Sequence, residues 1–223
     1  MLRDLPHPLY CLIPLLCLLL IAPLTPMIDL AVADSFYSPT GFSTQALGMW
    51  LYTYGTYPAM IIALGATGIW LLSYRLPRLI SYKRAALVLF LSYAIGAGLV
   101  VNYLFKDHWG RPRPKQIERY GGHAAFQAFY QPNFTVNERS KFKSFPSGHA
   151  STGFFFLSLG LIGLFEKMRK LFWFGLMAGL IWGGILGYVR MAQGGHFFSD
   201  IVVSGLCMWL TGYLCCLYVY KKK

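Results

Sequence analysis

Apolar residues along this chain gather in six runs, roughly 8–30, 49–73, 85–105, 148–165, 171–189 and 200–220. Each is close to the ~20 residues a helix needs to cross a bilayer. The polar breaks between runs are short except for segment 106–146, which separates the third run from the fourth. The pattern predicts an all-α integral membrane protein: six transmembrane helices with a polar loop segment between helices 3 and 4. Little chain is left for anything else, so 1–223 reads as a single transmembrane domain.

Two runs carry further signals. Arg3 precedes the first, and Ala31-Val32-Ala33 stands before Asp34, which resembles a secretory leader with a small-residue cleavage site. The run is long for a leader and holds Pro14, Pro23 and Pro26, so a retained first helix is expected. In the fifth run Gly175, Gly179, Gly183 and Gly187 recur every fourth residue. That spacing leaves one helix face as bare backbone, which admits a close neighbour and fixes Arg190 at the helix end.

Composition agrees with the membrane reading: 56% of residues are hydrophobic and 13% charged, where soluble domains carry about 25% charged. The net charge of +12 raises nucleic acid as a partner, but the distribution argues against it. Arg75, Arg78, Lys83, Arg84, Lys167, Arg169, Lys170 and Lys221 to Lys223 flank the apolar runs. With six helices these flanks and both termini share one face, which the positive-inside rule makes cytoplasmic. Most other cations lie in 106–146 or at Arg190, and there they point to an anionic, membrane-bound substrate. Cys11, Cys17, Cys207, Cys215 and Cys216 all sit inside apolar runs, with neither a disulfide framework nor metal-ligand spacing.

Three polar clusters stand where apolar runs meet polar segments: Lys106…Arg113-Pro114, Pro146-Ser147-Gly148-His149, and Arg190…His196…Asp200. The six-helix layout carries all three to the non-cytoplasmic face. His196 and Asp200 are four apart and would share one face of an opening helix, where the carboxylate fixes the imidazole tautomer and frees the other nitrogen to attack. A capping Asp beside an unrelated His is the plain alternative. Pro146 to His149 would open the fourth helix, with Pro146 in its first turn, free amides facing an anion and Gly148 allowing close approach. His149 would then give a proton to a leaving oxygen. Lys106, Arg113 and Arg190 would hold phosphate oxygens, although a lone cation at a helix end is as well explained by snorkelling to the interface. Of the eight acids, only Asp107, Glu118, Glu138 and Asp200 lie in the segments that build the clusters. That is too sparse for a two-metal site, so neither metal nor cofactor is expected.

The order K-x6-R-P, P-S-G-H, R-x5-H-x3-D resembles the type 2 phosphatidic acid phosphatase (PAP2) superfamily, over a motif-bearing core of about 85–220. The resemblance implies a six-helix core and a two-step, metal-independent phosphatase. His196 would be the nucleophile forming a phosphohistidine, Asp200 its orienting partner and His149 the acid for the leaving group. Lys106, Arg113, Ser147, Gly148 and Arg190 would bind the substrate phosphate. One departure is Val189, where the family usually has Ser. Arg111-Pro112 offers a second Arg-Pro, and the spacing from Lys106 selects Arg113, with Arg111 in an assisting position.

The resemblance further implies a membrane lipid phosphate as substrate: phosphatidylglycerol phosphate, undecaprenyl diphosphate, phosphatidate or lipid A. It also implies a bacterial inner-membrane location with the site on the periplasmic or outer face. Phe126, Phe129, Tyr130, Phe134, Phe142 and Phe145 form either an aromatic cover at headgroup depth or ordinary packing. Arg119, Arg139, Lys141 and Lys143 offer a site for a further anionic group, or a solvated surface. The rival readings are a phosphotransferase passing the phosphoryl group to a second lipid, a vanadate-binding haloperoxidase, and a membrane binding protein without catalysis.

Overall fold

The computed structural model describes residues 8–43, 45–135 and 141–221; Arg3, Asp4, Glu138, Arg139, Lys222 and Lys223 lie outside them. Among the described residues six helices are long and apolar enough to cross a membrane: α1 (Leu9–Phe36), α2 (Ala46–Leu72), α3 (Pro77–Lys106), α4 (Gly148–Phe165), α5 (Arg169–Ala192) and α6 (Phe198–Lys221). The protein is a multi-pass, all-α membrane protein. Sheet is confined to one two-residue hairpin, Tyr37–Ser38 against Gly41–Phe42.

The helix ends are set by local chemistry. α1 passes through Ala31-Val32-Ala33 without a break, six residues beyond the apolar run. Ala33 is buried there in a cluster with Ile117, Tyr120 and Phe197. Within α1 a 3₁₀ turn over Ala22–Leu24 absorbs Pro23, and Pro26 sits at the start of the segment that follows, positions where proline's missing amide costs no helical bond. α3 enters through a 3₁₀ stretch at Pro77–Tyr82, and its second half, Ser92–Lys106, is wound as a π-helix.

The bundle is organised around α4, whose most apolar window is 72% buried against 11% for α1. Its Phe154, Phe155 and Leu157 pack with Ala59 and Ala63 of α2, Ala97 of α3 and Ile201 and Met208 of α6. Of the glycine stripe of α5, Gly175, Gly179 and Gly183 lie against α4, and Gly187 lies against Ile201 of α6. A Cβ on Gly175 would stand 2.0 Å from the Gly160 nitrogen, and one on Gly183 would stand 2.4 Å from the Phe154 ring.

The chain over 107–135 and 141–147 folds irregularly over the end of the bundle where α1, α3 and α5 finish and α2, α4 and α6 begin. Two short 3₁₀ turns, Pro114–Gln116 and Glu118–Tyr120, and a bridge between Ile117 and Ala124 shape it. The indole of Trp109 donates to the Phe129 carbonyl at 2.6 Å and packs on Phe145, centroid to centroid 4.8 Å. The aromatic residues of this segment therefore divide. Phe129 and Phe145 are core, Phe126 packs edge-on to Phe197, and Tyr130 and Phe134 are exposed.

Candidate active site

All eight residues singled out from the sequence lie at this one end of the bundle. Lys106 closes α3, Arg113 stands in the irregular segment, Ser147 and Gly148 start α4, His149 follows, Arg190 is in the last turn of α5, and His196 and Asp200 bracket the start of α6.

Two of the expected placements need correction. His196 is not on a helix. α6 begins at Phe198, and His196 sits in the Gly194-Gly195 turn that leaves α5, where Gly194 takes the left-handed φ of +59°. The four-residue spacing still brings His196 Nδ1 to 3.6 Å from Asp200 Oδ2, an ion-pair distance that is longer than a formed hydrogen bond. Nor does Pro146 lie in the first turn of α4. The helix begins at Gly148, capped by Ser147, whose Oγ accepts from the Ala150 amide at 3.3 Å. Gly148 fits because a side chain could not: its Cβ would stand 2.7 Å from Asn102 Oδ1 and 3.3 Å from Lys106 Nζ.

Asp200 is held from every side. Oδ1 accepts from Arg111 Nη1 at 2.5 Å, while Oδ2 accepts from Ser144 Oγ at 2.6 Å and from the Phe197 amide at 2.9 Å. The carboxylate thus caps α6 and faces His196 at once, so the capping alternative and the functional reading describe the same residue. His196 is 1% exposed. Its burial, reinforced by the positive fields of Lys106 and Arg190 and only partly offset by Asp200, pushes its pKa down to about 3.

Arg111 does not share Arg113's placement. It is fully buried, bonded to Asp29, Asp200, Ser199 Oγ and the Gln127 carbonyl, and lies 4.5 Å over the Phe197 ring. Its guanidinium has no edge left for a ligand. Arg119 is paired with Asp34 at 2.7 Å and Lys143 with Asp107 at 2.7 Å, both exposed. Of the four cations considered for a further anion, only Lys141 among the described residues is left without a carboxylate.

Lys106, Arg113 and Arg190 differ from these neighbours. None forms an ion pair among the described residues, yet they lie close enough to repel one another. Arg113 Nε, Arg190 Nε and His196 Nδ1 are buried without hydrogen-bond partners. Arg190 Nη1 is held by Gln193 Oε1 at 2.5 Å. His149 stacks on Tyr52 of α2 at 4.7 Å, with Nε2 3.2 Å from the Tyr52 carbonyl. A carbonyl only accepts, so Nε2 carries the hydrogen and Nδ1 is the nitrogen left to exchange protons. The Arg190 guanidinium lies 4.8 Å over the same Tyr52 ring.

The sequence reading missed Asp29, Tyr52, Ser144, Gln193 and Ser199. For Asp29 a signal existed: it is a carboxylate inside a 28-residue apolar helix, and intramembrane acids are costly enough to mark function. For Tyr52 and the two serines nothing in the linear pattern sets them apart.

Beside Arg190 a groove of about 870 Å³ runs down the bundle between the end of α1, the start of α2 and α5. Phe36, Leu47, Leu51, Ile181, Tyr188 and Val189 line it, with Gly48 and Gly184 making room and Ser43 and Gln45 at its polar mouth. Val189, the departure from the family pattern, presents its methyls to this groove. Among the described residues no three His, Cys, Asp or Glu side chains cluster as a metal site would require.

The PAP2 superfamily profile matches residues 85–223. The lipid A 4'-phosphatase of Francisella tularensis subsp. novicida (strain U112) is 41% identical over 145 residues, covering 65% of this chain and 62% of that protein. The lipid A 4'-phosphatase of Rhizobium leguminosarum is 35% identical over 114 residues, 50% of this chain and 45% of that protein. The lipid A 1-phosphatase of Rhizobium johnstonii (strain DSM 114642 / LMG 32736 / 3841) is 37% identical over 109 residues, 48% of this chain and 37% of that protein. The chain thus spans less than two thirds of the length of each. No solved structure matches it. The profile covers the three clusters, most of α3 and the whole of α4, α5 and α6, and the chain belongs to the PAP2 superfamily.

Proposed function

We propose that this protein is a metal-independent phosphatase that removes a phosphate from a lipid A-type membrane lipid through a phosphohistidine intermediate. One observation carries the reading. Lys106, Arg113 and Arg190 are gathered without an ion pair among the described residues, two of them with a buried unpartnered Nε, while the neighbouring Arg111, Arg119 and Lys143 are all neutralised by carboxylates. Like charges held together unpaired call for an anion, and guanidinium forks suit the oxygens of a phosphate.

In this scheme the phosphate displaces Gln193 from Arg190 and settles among the three cations, Ser147 and Gly148. His196 is neutral at working pH and attacks phosphorus through Nε2, the bond to the lipid oxygen breaks, and His149, held as the imidazolium by the negative charge of the bound phosphate, gives that oxygen the proton on its Nδ1. Asp200 closes on Nδ1 as the ring becomes positive, since catalytic hydrogen bonds tighten when the charge they serve develops. Water then cleaves the phosphorus–nitrogen bond, with His149 taking its proton and inorganic phosphate leaving. The groove beside Arg190 receives an acyl chain while the headgroup occupies the site. The clusters face away from the basic loops near residues 75–84 and 166–170, which supports a non-cytoplasmic site.

The test is phosphate release by detergent-purified protein in EDTA over a panel of lipid A, phosphatidate, phosphatidylglycerol phosphate and undecaprenyl diphosphate, beside His196→Ala. Release that persists in EDTA, is fastest on lipid A and is lost in the variant is the expected result. Turnover of phosphatidate alone would reject the substrate class. Activity that survives His196→Ala would reject the mechanism.

A further inference from the structure

Asp29 lies on α1, outside the stretch that the family profile matches, and has no place in the three clusters. Its surroundings are nonetheless complete. Oδ1 accepts from the Ser199 amide at 2.7 Å, and Oδ2 accepts from Ser199 Oγ at 2.6 Å and from Arg111 Nη2 at 2.8 Å. Arg111 turns its Nη1 to Ser199 Oγ at 2.9 Å and to Asp200 Oδ1 at 2.5 Å. Asp29, Arg111 and Asp200 are each 0% exposed, and Ser199 is 1%. The result is a buried, hydrogen-bonded chain from α1 through Asp29 and Arg111 to Asp200, whose Oδ2 stands 3.6 Å from the imidazole of His196.

The charge count along this chain is what matters for the reaction. One guanidinium between two carboxylates leaves a net negative charge, and charges act strongly where water is excluded. If Arg111 faced Asp200 alone, it would cancel most of the field that Asp200 exerts on His196. Asp29 absorbs that positive charge instead. Through Ser199, the second residue of α6, it also fixes the turn that carries both Asp200 and His196.

We propose that Asp29 is a positioning residue for the reaction: by neutralising Arg111 and clamping Ser199 it keeps Asp200 in place and its charge available to His196. The inference rests on the reading of His196 as nucleophile. Asn at position 29 keeps the shape but offers one acceptor oxygen to three donors and no charge.

The experiment compares Asp29→Asn, Asp34→Asn and His196→Ala with wild type in steady-state phosphate release from lipid A micelles, with thermal unfolding of each purified protein. Asp34 lies on the same helix in an exposed pair with Arg119 and serves as the control. The expected outcome is a fall in kcat of about tenfold to a hundredfold for Asp29→Asn, of the size that supporting-shell changes produce. KM stays unchanged, because the lost interaction is felt in the transition state, and Asp34→Asn behaves as wild type. Wild-type kcat in folded Asp29→Asn, or a change confined to KM, would overturn the proposal. If Asp29→Asn does not fold, Arg111→Lys, which keeps the buried charge but loses the two-sided fork, is measured instead and must show the same kcat loss. Failure of both to fold would overturn it in favour of a purely structural role. A dead His196→Ala beside a normal Asp29→Asn removes this inference alone, whereas an active His196→Ala removes the mechanism beneath it.

Discussion

His196 and Asp200 have the same burial and opposite solutions to it. Asp200 remains charged because Arg111, Ser144 and the Phe197 amide supply donors; an uncompensated carboxylate there would be prohibitive. His196 faces Asp200 at 3.6 Å, but burial together with the positive fields of Lys106 and Arg190 outweighs that partner and holds the ring neutral down to a pKa of about 3. That is useful to a nucleophile, which must keep its lone pair at neutral pH. It also has a stability consequence with a definite sign. In the unfolded chain the ring titrates near 6.5. Between about pH 6.5 and pH 3 the unfolded state therefore binds the extra proton, and the folded state loses stability as pH falls through that window. The loss is at most about 1.4 kcal/mol per pH unit. His196→Asn lacks the titrating group, so its melting temperature should fall less between pH 7 and pH 5 than that of wild type. Equal slopes for the two proteins would show that His196 does not titrate as its burial requires.

Among the helices, the contact of α4 with α5 depends on absent side chains. Gly175 meets the backbone of Gly160 so closely that Gly175→Ala would force the helices apart, an overpacking cost of about 1–3 kcal/mol. Gly184 is on the same helix, and a Cβ there meets nothing within 4 Å. Gly175→Ala should therefore lower the detergent melting temperature and Gly184→Ala should leave it near wild type; equal behaviour would mean that the stripe is not the packing face. This contact was legible in the sequence because a four-residue glycine period has few other uses in a membrane helix. The six spans were legible for the same kind of reason. The ends were not. Polar Asp34 and Ser35 end the apolar run before α1 finishes at Phe36, since Asp34 is satisfied across the fold by Arg119 and Tyr120 and Ser35 by the Val32 carbonyl of its own helix. The start of α6 was misjudged by two residues because the cap depends on Asp200 receiving the Phe197 amide. At the site, the sequence pattern expected the eight side chains at one end of the bundle, which is where the structure has them. Spacing alone did not separate Arg111 from Arg113: both precede proline, and only the presence of Asp29 across the fold decides which is consumed.

The whole molecule joins two environments that would suit a lipid phosphate: cations at the end of the bundle that form no ion pair among the described residues, and an apolar groove descending beside them. Arg190 and Val189 are consecutive residues on α5, one within the cationic cluster and the other lining the groove. A polar residue at 189 would interrupt the groove wall, which gives the family's Ser-to-Val departure a physical sense here. If the groove seats an acyl chain, filling it should weaken recognition of the lipid tail and leave the phosphate chemistry intact. Gly184→Trp places an indole in the groove from a position with open space. Losing two buried methylenes of the lipid corresponds to about 1.6 kcal/mol, or roughly a tenfold rise in KM. That rise should appear with long-chain lipid A, while hydrolysis of a soluble substrate such as para-nitrophenyl phosphate keeps its wild-type kcat/KM. Separation of the two substrates by one groove substitution would tie the tail to this surface. If both substrates slow equally, the indole has disturbed the cationic cluster itself, and if neither changes, the tail lies along another face of the bundle.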